Sequence, residues 1–319
     1  MAIIYDGSMD KKLYKDVFGS TIEALAEADP DVVYLDADLM NSFGTRGFWS
    51  RNKKQAFNCG ISEANMMGVA AGLSAGGKKP YVHTFGPFAT RRSYDQSFLS
   101  IAYAGNSVRI LGSDPGVTAA FNGGTHMPFE DMALMRAIPH STVIEISDGA
   151  MLEFVLRNTK DREGLTYIRT TRKNYPTLYS ADHTFTIGKG EVVRTGSDVT
   201  IISCGLMVGE AMKAAATLEA QGVSVQVVDM FTVKPIDEEL VLYCADKTKA
   251  IVTAENHNII GGLGDAVSNV LVKNKCLVPM AKVGVNDEFG QVGPQNYLQE
   301  QYALTADAIV NAVNGLKGE

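Results

Sequence analysis

The chain has 319 residues, 45% of them hydrophobic and 20% charged, which is the balance of a globular protein and not of a disordered or fibrous one. A formal net charge of −7 gives no reason to expect nucleic-acid or anionic-membrane binding. At about 100–200 residues per domain, the length predicts two domains.

Taken in chain order, MAIIYDGSMDKKLYKD offers only a short apolar run, too short for a signal peptide or a spanning helix. Residues 11–27 are amphipathic and predict a helix, 31–35 a strand, 61–76 a helix, 80–85 a strand and 91–105 a helix. Strands are predicted at 108–111 and 142–146, and a helix at 150–159. Residues 174–187, NYPTLYSADHTFTI, have a proline, turn formers and no period, and read as a linker. A second unit follows, with strands at 199–203, 223–229 and 250–254 and helices at 206–221 and 264–273. The alternation predicts an α/β protein of two domains, 1–180 and 188–319, each a mostly parallel sheet with helices on both faces. Cys59, Cys204, Cys244 and Cys276 lie far apart without a CxxC pair. They read as reduced, mostly core thiols of a cytoplasmic protein.

One position stands out chemically. Glu63 opens a predicted helix rich in Ala, Gly and Met, following Gly60. By itself such a glutamate complements the helix dipole, worth about 0.3–1 kcal/mol. The next strand, however, ends in His83-Thr-Phe85-Gly-Pro-Phe88, and loops at the carboxyl ends of neighbouring parallel strands share one edge, where ligands bind. A carboxylic acid beside two phenylalanines suits a flat, nitrogen-bearing heterocycle, which stacks on the ring and bonds the acid.

The stretches GISEANMMGVAAGLSAGGKKPYVHTFGPFATRRSYDQ and FNGGTHMPFEDMALMRAIP resemble the pyrimidine-binding domain of thiamine-diphosphate enzymes of the transketolase and deoxyxylulose-phosphate synthase group. GSDVTIISCGLMVGEAMKAAATLEAQGVSVQVVDMFTVKPID and AENHNIIGGLGDAV resemble that group's C-terminal domain, so the likeness runs along nearly the whole chain. It implies thiamine diphosphate as cofactor and transfer of a two-carbon ketol unit from a ketose to an aldehyde. Glu63 then bonds a ring nitrogen of the aminopyrimidine. As donor, the acid must be kept protonated by removal from water, against the pull of the helix N-terminus. The resemblance further implies that Phe88 stacks on the pyrimidine with Phe85 beside it. Ile61 wedges beneath the bent cofactor, Asp38 lies near its thiazolium ring, and Arg91 stands where the synthases have an arginine. On the substrate side it implies Ser42 near the sugar phosphate, His126 as a catalytic channel histidine, and Arg172 on the anionic tail, where a planar fork suits an oxyanion. His83 reads either as an ordinary strand histidine or as a residue touching the site.

Other residues carry blander expectations. His140 and His183 read as surface residues, His257 as a loop residue of the C-terminal domain, and Met66, Met67, Met132 and Met135 as core. GGLGDAV lacks the third glycine of a dinucleotide fingerprint and is discounted. The family holds its diphosphate through a bivalent metal and a GDG…N motif, and no GDG occurs in these 319 residues. The resemblance therefore implies a partner, an N-terminal transketolase subunit that brings this motif and a Mg2+ or similar ion. The active unit would contain two copies of each chain, with no metal ligand supplied by this one. Two features depart from the family. Asn122 replaces an aspartate that contacts the donor's hydroxyl, and GSDPGVTAA, residues 112–120, has no histidine where transketolases carry one for the phosphate. The tail is then phosphate or sulfonate. Alternatives are the β-subunit of a 2-oxo acid dehydrogenase and a non-catalytic scaffold subunit.

Overall fold

The structure, a computed structural model, describes residues 3–317. Met1, Ala2, Gly318 and Glu319, at the outer ends of the two expected domains, lie outside the described residues. Among the described residues twelve strands alternate with helices: β1 (Val32–Asp36), β2 (Ala56–Asn58), β3 (Lys79–Phe85), β4 (Val108–Ser113), β5 (Thr142–Glu145), β6 (Leu165–Thr170), β7 (Glu191–Arg194), β8 (Val199–Ser203), β9 (Val225–Asp229), β10 (Thr232–Lys234), β11 (Ala250–Asn258) and β12 (Met280–Val285). They form a seven-stranded sheet in the order β10-β5-β6-β4-β3-β1-β2 and a five-stranded sheet in the order β12-β11-β8-β9-β7. All pairings are parallel except β10 on β5 and β7 on β9. β1, β4, β8 and β9 are buried at every residue, as strands covered by helices on both faces must be, and they read in the sequence as short runs rich in Val, Ile and Leu, with polar residues such as Arg109 and Gln226 buried among them. Among the described residues no helix is long and apolar enough to cross a membrane.

Four expectations change. The helix predicted over 91–105 is a 3₁₀ turn, Arg91–Ser93, followed by a π-helix, Gln96–Tyr103. The segment predicted as a free linker packs Tyr175, Leu178, Tyr179 and Phe185 into the core. Its backbone also bridges the N-terminal segment at Ile3–Tyr179 and Met9–Pro176. His183 is carried inside with it, 5% exposed between the rings of Tyr179 and Phe185 at 4.7 and 4.6 Å, and is not the surface residue expected. His257 likewise sits in β11 rather than a loop and is fully buried. By contrast His140 is exposed, and the four methionines are core.

The two halves share more than a linker. β10, from the second half of the chain, completes the edge of the first sheet beside β5. Arg169 on β6 is fully buried and joins Asp131 at 2.8 Å and Glu145 at 2.7 Å. It also donates to the backbone carbonyl of Asn256 on β11. Cys204, the residue after β8, donates its thiol to Glu145 at 3.1 Å. Gly205 follows at φ +56°, where any Cβ would collide with that carboxylate. Sequence order thus brings polar groups from both sheets into one buried network.

Candidate active site

β1, β3 and β4 lie side by side, and their carboxyl ends lead into the loops that build the crevice. Glu63 opens the Glu63–Ala75 helix and is 3% exposed. Thr84, on β3, donates to it at 3.4 Å, and Nη1 of Arg92 reaches both carboxylate oxygens at 3.1 Å. A buried charge needs such a partner. The same guanidinium lies 3.7 Å from the centre of the Phe88 ring. Phe85, Phe88 and His126 pack edge to face, with centroids 5.0–6.2 Å apart. Arg172 closes the group from beyond β6, its guanidinium carbon 5.4 Å from the Phe85 ring.

Glu63, Phe85, Phe88, His126 and Arg172 are therefore brought together, and Arg92 joins them where Arg91 was expected. Arg91 instead pairs with Glu130 at 3.2 Å and donates to the Thr125 carbonyl. It lines a cavity of about 570 Å³ between the halves of the chain, with Phe129, Asn258 and Phe289. Ile61 is 75% exposed just ahead of the helix, free to meet another body. Asp38, at φ +65°, is exposed and accepts from the Asn58 amide at 2.8 Å. Ser42 is half-buried and donates to the Leu39 carbonyl. Asn122 is exposed at the end of the 3₁₀ segment Gly116–Asn122.

His83 is 1% exposed and does not reach the crevice surface. Its Nδ1 is 2.9 Å from Asp36 and its Nε2 3.1 Å from the Ser113 hydroxyl, with the ring stacked on Phe43 at 4.0 Å. It is a strut between β1, β3 and β4. Partial burial pushes the His126 imidazole below its ordinary value, and the cations of Arg92 and Arg172 push the same way. The neutral ring, with Nδ1 2.9 Å from the Thr125 hydroxyl, is then available to accept a proton or a hydrogen bond. Reasoning from sequence missed Arg92, Thr84 and Asp114. The Arg-Arg doublet and the acid within GSDPGVTAA were the available signals.

The donor set suits a flat ring bearing nitrogen. Arg92 already lays a planar N–H donor on the Phe88 face and against the Glu63 carboxylate, the two contacts that an aminopyrimidine would make. Family comparison bears on this directly. The chain matches the family model "Transketolase, pyrimidine binding domain" over residues 10–177 and "Transketolase, C-terminal domain" over 188–309. It is 45% identical to the 6-deoxy-6-sulfo-D-fructose transketolase subunit SqwH of a Clostridium species, over 97% of this chain and 96% of that one. It is 33% identical to rat transketolase over 96% of its own length but only 49% of the relative's, so it spans about half of that enzyme. A solved split-gene transketolase, described as an inactive β4 tetramer, superposes with a TM-score of 0.87 at 40% identity, covering 95% of this chain and 97% of that one. With both domain models matched in order along the chain and a subunit relative 45% identical over nearly its whole length, the chain belongs to the transketolase family.

Proposed function

We propose that this chain is the C-terminal subunit of a split, thiamine-diphosphate-dependent transketolase, moving a two-carbon ketol unit from a ketose with an anionic tail to an aldose. The observation that carries the reading is Glu63, a buried carboxylate at a helix mouth that Arg92 joins to the face of Phe88 in the Phe85–Phe88 shelf. When bound, thiamine diphosphate supplies the carbon nucleophile that carries the ketol unit. Glu63 holds a ring nitrogen of the pyrimidine, and Phe88 and Phe85 fix the plane of that ring. Ile61 supports the cofactor from the exposed edge, with Asp38 near its thiazolium side. His126, neutral beside the aromatic rings, accepts or returns the proton of a sugar hydroxyl. Ser42 and Asn122 face the sugar, and Arg172 holds the anionic tail. His83 acts at one remove, by fixing Ser113. The name of the Clostridium relative supports a sulfonate tail on the donor.

A partner polypeptide with the GDG…N motif would bring the diphosphate site and its bivalent metal, Mg2+ or similar, in an assembly of two copies of each chain. The near-complete overlap with a relative named as a subunit supports this, as does the split-gene relative solved as an inactive tetramer. The test is reconstitution. The purified chain is expected to show no ketol transfer, and the mixture with its partner to show it. Glu63→Gln in the reconstituted enzyme is expected to lower kcat about 100-fold, the range for losing a positioned acid. Turnover by this chain alone would refute the split assignment. A Glu63→Gln enzyme within twofold of wild type would refute the role of the acid. Turnover of a branched 2-oxo acid in place of the ketose would move the chain to the 2-oxo acid dehydrogenases.

A further inference from the structure

Arg172 does not face the crevice alone. Its Nε stands 2.6 Å from Oδ2 of Asp114, the residue that follows β4. Its backbone N–H donates to Oδ1 of the same carboxylate at 3.1 Å. Asp114 is 1% exposed, and its Oδ2, though so near the guanidinium, has no aligned hydrogen-bond donor. The charged groups facing it are Arg172 and Lys173, from beyond β6, and His83 on β3. Burial pushes the Asp114 carboxyl upward and Arg172 draws it back. The pair lies beside Phe85 and within the field of His126, so the role proposed for Arg172 puts the donor's tail next to it.

We infer that Asp114 is a specificity-determining residue that restricts the donor's tail to a single negative charge, accepting a sulfonate and disfavouring a phosphate dianion. This rests on the transketolase reading and on Arg172 as the tail's anchor. A lone guanidinium offers one positive charge and five N–H donors. Here the Nε edge is occupied by a carboxylate, the pair is formally neutral, and only the two Nη groups remain for a tail. A sulfonate keeps one charge across the working pH range. A phosphomonoester carries about −1.5 to −2 at pH 7, with its second proton lost near pH 6. The additional charge falls next to a buried carboxylate in a site of low polarity, where like charges repel strongly. The stretch 112–120 holds no histidine to offset it. Sulfonate and phosphate have similar tetrahedral shapes, so the discrimination rests on charge.

The experiment uses the reconstituted two-chain enzyme with 6-sulfo and 6-phospho ketoses as paired donors, from pH 5.5 to 8. Enzyme titrations common to both donors cancel in the ratio of their kcat/KM values. Wild type is expected to prefer the sulfonate by about tenfold or more at pH 8, and the preference is expected to shrink as the pH falls through about 6, where the phosphate gains its second proton. Asp114→Asn is expected to raise the phosphate-to-sulfonate ratio about tenfold at pH 8, mainly through KM for the phosphate, and to flatten its pH dependence. Asp114→Ser serves as a second variant if the asparagine protein melts early. A ratio that neither variant moves, or an equal loss for both donors, would overturn the inference and leave Asp114 a structural partner of Arg172. Failure of the transketolase reading would look different, with no ketol transfer from any donor, neutral ketoses included, whatever residue occupies 114.

Discussion

Arg92 stands where the needs of the isolated chain and of the cofactor conflict. Glu63 cannot stay charged and unpaired in a buried pocket, and Arg92 satisfies both of its oxygens while covering the Phe88 face. The cofactor ring would need that same carboxylate and that same face, so Arg92 must swing aside, which its 45% side-chain exposure allows. An ion pair with one half-exposed member, discounted for solvent screening, and a surface cation–π contact are each worth about 0.2–1 kcal/mol. Arg92→Ala is therefore expected to tighten thiamine diphosphate binding to the two-chain enzyme by about 2–5-fold, read by calorimetric titration. Weaker binding would show instead that Arg92 forms part of the cofactor's seat. Glu63, Phe85 and Phe88 were legible in the sequence because their chemistry is set by residue type and by short spacing along one strand and one turn. Arg92 was not distinguishable from Arg91. They are adjacent in a 3₁₀ turn, where successive side chains diverge by a third of a turn, and only the backbone's phase decides which one enters the pocket.

At the scale of elements, β1, β3, β4, β5, β8, β9 and β11 were readable, and β2, β6, β7, β10 and β12 were not. β6 is buried throughout but contains Thr166, Arg169 and Thr170, so its composition hides a central strand whose polar groups are satisfied across the fold. The π-helix Gln96–Tyr103 keeps the apolar content of an α-helix, and hydropathy alone does not reveal its wider turn. The Leu263–Lys273 helix shows what such buried polar groups do. Glu255 on β11 accepts the backbone N–H groups of Leu263 at 2.6 Å and Gly264 at 2.8 Å, capping the helix from inside the core. Burial pushes its carboxyl up to about 7. Nearby, burial lowers the His257 ring to about 4, overriding the opposite pull of its Nδ1 hydrogen bond to the Asn258 carbonyl at 2.7 Å. The two groups act on stability in opposite senses. Glu255 binds its proton more tightly when folded, so its contribution is complete below the unfolded value near 4.5 and is lost as pH rises through about 7. His257 binds more weakly when folded, so its contribution is complete above the unfolded value of 6.5 and is lost as pH falls toward 4. Between about 4.5 and 6.5 they offset each other, and above 6.5 the glutamate term remains. The urea midpoint is expected to fall between pH 6.5 and 8, and Glu255→Gln is expected to flatten that slope, whatever it does to the midpoint itself. An unchanged slope would place the titration elsewhere.

For the molecule as a whole, the sequence marked two units correctly in type but gave no sign that they share a core. The residues that join them are polar, and composition assigns polar residues to the surface. β10 crosses to the first sheet, and Arg169 ties Asp131 and Glu145 to the backbone of β11. Arg169 serves its two acids unequally. Burial raises both carboxyls, but Arg169 and His257 bring Asp131 below its ordinary value, whereas Glu145 stays above its own despite Arg169 and the Cys204 thiol. Glu145 is therefore the less well compensated acid, and it touches the second half of the chain through Cys204. Removing one partner of a buried ion network leaves an uncompensated charge, which costs about 3–5 kcal/mol, whereas replacing the partners together can be nearly neutral. Arg169→Met is expected to lower unfolding stability by that amount, read as the urea midpoint. Adding Glu145→Gln is expected to return part of the loss, because the acid freed by the first change is no longer charged. If Arg169 instead acted only through packing, the two losses would simply add. The sign of their coupling thus decides whether the two halves are held together by charge or by shape.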